Sequence, residues 1–348
     1  MLFGYPHQAT RGNWLHACLC RMLRTIHAAI QAGNAVPAWP DIIPQPHRAQ
    51  LRRRTGLRNR LQAYTNAYAQ LQPADQQAIE QAFYRQNRIR RLLAGNCSCQ
   101  TADQLPAGIR NALGQLSGEA FRLLGEYGIR DQQYRTIYNN LGHKVCPFCG
   151  LEYFDAPEAP REDLDHYLPR SRYPFAGANA KNLVPMGGRC NSAYKGTVDV
   201  LWNGATRRHA FFPYDHAGVG VSLANSQPFG GAVDAHPQWD VAFSPPSAEA
   251  QTWDSVFKVR ERYVRDVLEP YYENWLQRFA DYCKTAGLES ASDQELIGAL
   301  DRFREFNEAE GFSDRGFLKA AVFELLIQHC QQGNQRLVNL LQDVLKAA

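Results

Sequence analysis

The residues of this chain best equipped for chemistry lie close together in its middle. Asp163-Leu-Asp165-His166-Tyr-Leu-Pro169-Arg-Ser171 sets a carboxylate beside an imidazole, Asn182-Leu-Val-Pro185 follows, and Cys190-Asn191-Ser-Ala-Tyr-Lys195-Gly closes the run. These types suit the hydrolysis of a phosphodiester. A neutral imidazole takes a proton from water near pH 7. A hard divalent ion on oxygen ligands offsets the charge that grows on the phosphoryl oxygens. Asp165 and the side-chain oxygen of Asn191 are ligands of that kind. On a regular strand the adjacent Asp165 and His166 point to opposite faces, so their cooperation requires a bulge or turn near Pro169 to re-aim them.

Nine cysteines is an odd number, and their spacing suggests no disulfide framework. Cys146-Pro-Phe-Cys149 reads as a metal knuckle; the rival reading, a redox dithiol, calls for a thioredoxin-like βαβ context that the flanking sequence lacks.

The order Asp-His-x-x-Pro, Asn-Leu-Val-Pro and Cys-Asn-x-x-x-Lys resembles the HNH, or His-Me finger, endonuclease family over about 50 residues, from Cys146 to Gly196. The first block is similar to the start of the HNH domain in RNA-guided CRISPR nucleases, and the other two recur in HNH nucleases of bacterial defence systems. The resemblance implies a ββα-metal module. In it His166 is the general base, Asp165 and Asn191 hold one Mg²⁺ or Mn²⁺ ion, and Asn182 orients the His166 loop. Lys195 neutralises the phosphate or leaving group, and Asp163 is an auxiliary carboxylate. Many family members also carry a structural Zn²⁺ on two CxxC knuckles. Here the second knuckle departs from the pattern: Gly187 stands where its first Cys is expected, leaving Cys146, Cys149 and Cys190, with His143, Cys97 or Cys99 as candidates for the fourth ligand.

The elements that must position these residues are largely helical, so the expected class is α+β: a mainly helical chain around a central HNH module. Residues 1–145 form an arginine-rich helical region, 146–245 the nuclease module with a loop-rich extension, and 246–348 a helical C-terminal region. Leu57, Leu61, Tyr64, Tyr68 and Leu71 keep helical spacing, and Pro73 with Asp75 opens a helix running to Gly95. From Asn225 to Pro246 the expectation is loop with at most one strand. An apolar stripe from Val256 through Tyr271 to Cys283 predicts a helix kinked at Pro270, and Ser292 with Glu295 fits a capping box.

The net charge of +4 conceals an asymmetry. Residues 1–145 hold 18 Lys+Arg against 7 Asp+Glu (18 − 7 = +11), and residues 146–348 hold 20 against 27 (20 − 27 = −7). All but one of the first 18 are arginine, whose planar fork matches phosphate. Arg54, Arg58, Arg85, Arg88, Arg170 and Arg172 are accordingly expected to bind nucleic acid. No apolar run is long enough to span a bilayer, and the start of the chain offers no secretory signal. The sequence thus predicts a cytoplasmic, metal-dependent endonuclease acting on DNA, serving restriction or anti-phage defence and restrained by an ATPase or sensor partner. The alternatives are an RNase of the same fold and an inactive HNH subunit that only binds nucleic acid.

Overall fold

A computed structural model of the chain describes residues 1–160, 164–214, 218–231, 236–288 and 292–347. Asp163 and His216 lie outside the described residues. Helices dominate, accompanied by four two-stranded antiparallel sheets among the described residues. No helix among those residues is long and apolar enough to cross a membrane. The chain divides into two compact units whose limits differ from the three regions the sequence suggests. One, here the N-terminal unit, comprises Gly4–Gly142 and Phe154–Ala217; the other, the C-terminal unit, comprises Met1–Phe3, His143–Tyr153 and Gly218–Ala348.

The N-terminal unit holds α1 (Trp14–Gln31), α2 (Gln45–Leu51), α3 (Thr55–Ala69), α4 (Pro73–Gln86), α5 (Ile89–Leu93), α6 (Ala107–Glu126) and α7 (Ile129–Asn140). It also holds β1 (Leu164–His166) with β2 (Leu183–Pro185) and β3 (Trp202–Asn203) with β4 (Thr206–Arg207). The Asn13 side chain caps α1 by accepting from the His16 N–H, replacing a helical partner that the first turn lacks. Leu15, Leu19, Leu23 and Ile26 of α1 meet Leu57, Leu61 and Tyr64 of α3 and Ile109, Leu113 and Leu116 of α6 in one core. Leu164 and Leu183 belong to the same core, so the short hairpin β1–β2 is fixed by the helices. Burying each such leucine contributes roughly 1.5–3 kcal/mol.

The helix opened by Pro73 ends at Gln86 rather than running on to Gly95. Asn87 donates its side-chain amide to Phe83 O, Arg88 closes a turn on Arg85, and the chain restarts as α5. Gln86 explains the stop. It is fully buried, donates to Gln100 O at 2.8 Å and accepts from Phe175 N–H at 3.0 Å, which ties this corner to loop backbone.

The C-terminal unit pairs β5 (Gly220–Ser222) with β8 (Ala242–Ser244) and β6 (Gln227–Gly230) with β7 (Pro237–Gln238), so three short strands occupy the stretch expected to hold at most one. Its helices are α8 (Ala248–Phe257), α9 (Val259–Tyr263), α10 (Glu269–Thr285), α11 (Asp293–Glu310), α12 (Gly316–Gln331) and α13 (Gln335–Ala347). The expected kink at Pro270 is broader than a kink. Lys258, at φ +52°, ends α8, and a π-helix over Val264–Leu268 precedes α10, whose first turn contains Pro270. Proline has no N–H to donate to the preceding turn, and the widened turn accommodates that loss. The break rotates the apolar stripe, so Tyr272 is buried and Tyr271 is exposed. The capping box forms: Ser292 Oγ accepts from Glu295 N–H while Ser292 N–H donates to the Glu295 carboxylate at 2.8 Å.

Candidate active site

Asp165, His166, Asn182, Asn191 and Lys195 all lie in the N-terminal unit. Asp165 and His166 sit on β1, opposite Val184 and Leu183 of the antiparallel β2. The loop from Tyr167 to Asn182 returns the chain to β2 and contains two single-turn 3₁₀ segments, Pro174–Ala176 and Ala180–Asn182. Asn182 is fully buried and clasps this loop: its Oδ1 accepts from Leu168 N–H at 2.8 Å and its Nδ2 donates to Leu168 O at 3.0 Å and Ala176 O at 3.3 Å. From α7, buried Gln133 donates to Ala180 O and Leu183 O, holding β2 in register.

After β2 the chain enters a π-helix, Arg189–Lys195, which carries Asn191 and Lys195. Its wide turn is visible in the bond from Gly196 N–H to Asn191 O, five residues back. π-Turns of this kind are rare and concentrate at functional sites. The Asn191 side chain is half-buried and has no hydrogen bond among the described residues. Lys195 is almost wholly buried (1% exposed), and its ammonium lies 3.0 Å from Asp165 Oδ2, a carboxylate with 26% of its side chain exposed.

His166 points elsewhere. Its Nε2 is 2.8 Å from Gly177 O, and its ring rests on Phe121 of α6 at a centroid distance of 4.4 Å. A carbonyl oxygen only accepts, so Nε2 carries the proton and Nδ1 keeps the lone pair. Desolvation is the main influence on the ring and lowers its pKa from 6.5 to about 4; the Gly177 bond and Asp165 oppose this, while Arg170 and Lys195 add to it. The neighbours Asp165 and His166 therefore face different partners, as strand alternation requires, and, contrary to the expectation from the sequence, the turn at Pro169 does not re-aim them onto each other. The sequence offers no sign of Phe121 or Gly177 as partners of His166, because both are brought to it by the fold and contribute only a ring face and a backbone oxygen.

The six arginines expected to bind nucleic acid fare differently from one another. Arg54 is committed within the protein, to Glu126 at 2.7 Å and Tyr127 Oη at 2.8 Å. Arg172 lies 3.0 Å from the buried Asp199, which also accepts from Tyr173 Oη and Leu201 N–H. Both guanidiniums already have internal anionic partners, with which a phosphate would have to compete. Arg88 stacks on Tyr84 at 3.8 Å, Arg85 makes a long contact to Ser98 O, and Arg58 is exposed beside Asn59. Arg170 lies along α6, with Nη1 3.5 Å from Gly114 O.

In the C-terminal unit Cys146 and Cys149 form a tight hairpin knuckle. Cys146 N–H donates to Glu152 O, Gly150 N–H returns to Cys146 O at 2.7 Å, and Gly150 adopts φ +69°, a conformation that glycine tolerates without strain. Both sulfurs are buried and lie within 4.8 Å of each other. Leu151 N–H points at Cys149 Sγ at 3.4 Å. Tyr263 Oη and Trp253 Nε1 hold the knuckle backbone through Cys149 O and Phe148 O. His143 does not join this pair: its ring packs edge-on to Phe312 and its Nδ1 faces Ser313 Oγ at 3.4 Å. Cys190 is buried on the π-helix of the N-terminal unit, Cys97 and Cys99 are partly buried, and no disulfide joins cysteines among the described residues.

Comparison of the chain with protein-family models, with curated proteins and with solved structures finds no match.

Proposed function

We propose that the chain is a metal-dependent endonuclease of HNH type that hydrolyses DNA, with β1, β2 and the following π-helix serving as its ββα-metal motif. The observation that carries this reading is the His166 ring: a backbone carbonyl fixes Nε2 as the protonated nitrogen, which leaves a neutral, oriented Nδ1 as a base. Burial keeps the ring unprotonated at neutral pH, and the same lowered pKa makes it a weaker base than a solvated imidazole. Phe121 holds the ring face so that it cannot turn freely, and Asn182 fixes the loop that carries Gly177.

The oxygen donors are of the type a hard divalent ion takes: Asp165 offers a half-buried carboxylate, which the ion would share with the Lys195 ammonium, and Asn191 an amide oxygen with no partner among the described residues. A bound Mg²⁺ or Mn²⁺ would supply charge stabilisation for the phosphoryl oxygens. Lys195 already balances Asp165, so this chain's own residues place a positive charge at that carboxylate throughout. In the C-terminal unit the knuckle of Cys146 and Cys149, with an amide donor on one sulfur, supplies two thiolates suited to a structural zinc ion. By analogy with the family it resembles, the enzyme is a cytoplasmic effector of anti-phage defence or restriction restrained by an ATPase or sensor protein.

The test is direct. Supercoiled plasmid and, separately, RNA are incubated with the protein and Mg²⁺ or Mn²⁺, with EDTA as control. Plasmid nicking that needs metal, and that falls at least a hundredfold in His166→Ala while plasmid binding persists, is the expected result. Equal nicking by His166→Ala would refute the assignment, and cleavage confined to RNA would replace DNA as the substrate.

A further inference from the structure

Along one face of α6 runs an open groove of about 470 Å³ whose charged lining is Arg60, Arg110, Arg122 and Arg170 with the single acid Glu119. Only Arg170 of these belongs to the set the sequence singles out. The geometry points to this groove as the track for one phosphodiester strand of duplex DNA leading to His166. The identity of the polymer rests on the nuclease reading; the groove itself does not.

Arg110, Gly114, Gly118 and Arg122 follow one another at intervals of four, so they form a single stripe on the helix. Two glycines inside a helix cost roughly 1 kcal/mol each relative to alanine. What they provide is a floor: a Cβ on Gly118 would come within 2.8 Å of Arg170 Nη1, and Gly114 has nothing within 4 Å. The guanidinium of Arg170 thus lies across bare helix backbone. Arg60 reaches the groove from α3, held by Gln115 at 2.8 Å, and Arg110 is steadied by Leu105 O at 2.6 Å. Arg122 is shared with Glu119 at 2.7 Å and with Glu126, so it is the weakest contributor.

Length and composition choose the occupant. Arg110 and Arg122 are twelve residues apart, ~18 Å along the helix axis, which matches the rise of about five nucleotides of one duplex strand. The lining contains no aromatic side chain on which unstacked bases would rest. That composition disfavours single strands and suits a backbone read through its phosphates. The groove also ends at the site. The aliphatic stem of Arg170 lies against Gly177, the residue whose carbonyl orients His166, and Phe121, one turn beyond Gly118, covers the His166 ring.

The experiment measures anisotropy of a labelled 30-base-pair duplex in EDTA, where no cutting occurs, from 50 to 200 mM salt. Gly114→Glu adds a negative charge at an open position and, by helix propensity, does not weaken the fold; a thermal melt checks this. Its affinity is expected to fall several-fold. Arg60→Glu combined with Arg110→Glu is expected to lose tenfold or more and to reduce the salt slope by about 2, at about 0.9 per phosphate contact. Arg52→Glu with Arg53→Glu changes net charge equally at exposed positions outside the groove, and its slope is expected to stay near that of the unsubstituted protein. Unchanged binding by Gly114→Glu, or equal losses in both double variants, overturns the groove, and tighter binding of single-stranded RNA overturns the duplex assignment. If no nucleic acid is cut yet the groove variants alone lose binding, the nuclease reading fails and the groove stands.

Discussion

Lys195 is an ammonium with almost no access to water, and the Asp165 carboxylate 3.0 Å away is the anion that balances it. The two partners differ in burial, which makes their removal unequal. Asp165→Asn strands a buried cation, a loss of about 3–5 kcal/mol for a buried pair broken from one side. Lys195→Met leaves a carboxylate that is 26% exposed and can recruit water, so its cost is smaller. The expected outcome in urea unfolding is a midpoint displaced further by Asp165→Asn than by Lys195→Met. The reverse order would mean that the ammonium has another anion in solution. The same asymmetry makes Asp165→Asn an ambiguous knockout of activity, since it weakens the fold as well, and leaves His166→Ala as the cleaner one.

At the scale of elements, a three-residue hairpin cannot hold a site by itself, and the loop between β1 and β2 is set by Asn182. Asn182→Ala removes three side-chain hydrogen bonds and leaves Leu168 N–H and O and Ala176 O buried without that partner. At about 1–3 kcal/mol for each of the three groups left unsatisfied, a loss of roughly 3–9 kcal/mol follows. For a unit of this size, at about 2–4 °C per kcal/mol, even the lower end of that range lowers the melting temperature by about 6–12 °C. The cleavage rate is expected to fall more than duplex affinity in EDTA, because the loop carries the His166 acceptor, whereas of the charged groove residues only Arg170 lies on it. An unchanged rate would detach Asn182 from the orientation of the ring. Much of this element structure is legible in the sequence: the stripe of α3, the Pro73 start of α4 and the Ser292 box all follow from local propensity and spacing. What is not legible depends on tertiary partners. Gln86 stops α4 through Gln100 and Phe175, His143 turns to Phe312 and Ser313, and Arg54 and Arg172 find Glu126 and Asp199, none of them neighbours in sequence.

For the molecule as a whole, the N-terminal unit folds with three imidazoles held neutral, and that links its stability to pH. His16, His27 and His166 each have a pKa lowered from 6.5 to about 4, with desolvation the first cause in every case. His27 of α1 is buried, 2.8 Å from Tyr64 Oη and stacked on Tyr68 at 4.4 Å. Glu80 lies 3.8 Å from its other nitrogen, but its pull does not overcome desolvation, so the contact is not an ion pair at neutral pH. The unfolded chain protonates these rings near pH 6.5, whereas the folded unit resists until about pH 4. Between those values the unfolded state binds more protons, so stability is complete above about pH 6.5 and declines as pH falls toward 4. Each fully buried ring contributes at most ~3 kcal/mol over that window, and less where solvent reaches it, as at His166. His27→Gln keeps a hydrogen-bonding partner for Tyr64 and removes one titration. Urea midpoints from pH 7.5 to 4.5 should therefore fall less steeply in His27→Gln, by about one proton, even though its stability at pH 7.5 is lower. Parallel curves for the two proteins would show that His27 is protonated alike in the folded and unfolded chain, and that its burial between Tyr64 and Tyr68 does not persist in solution.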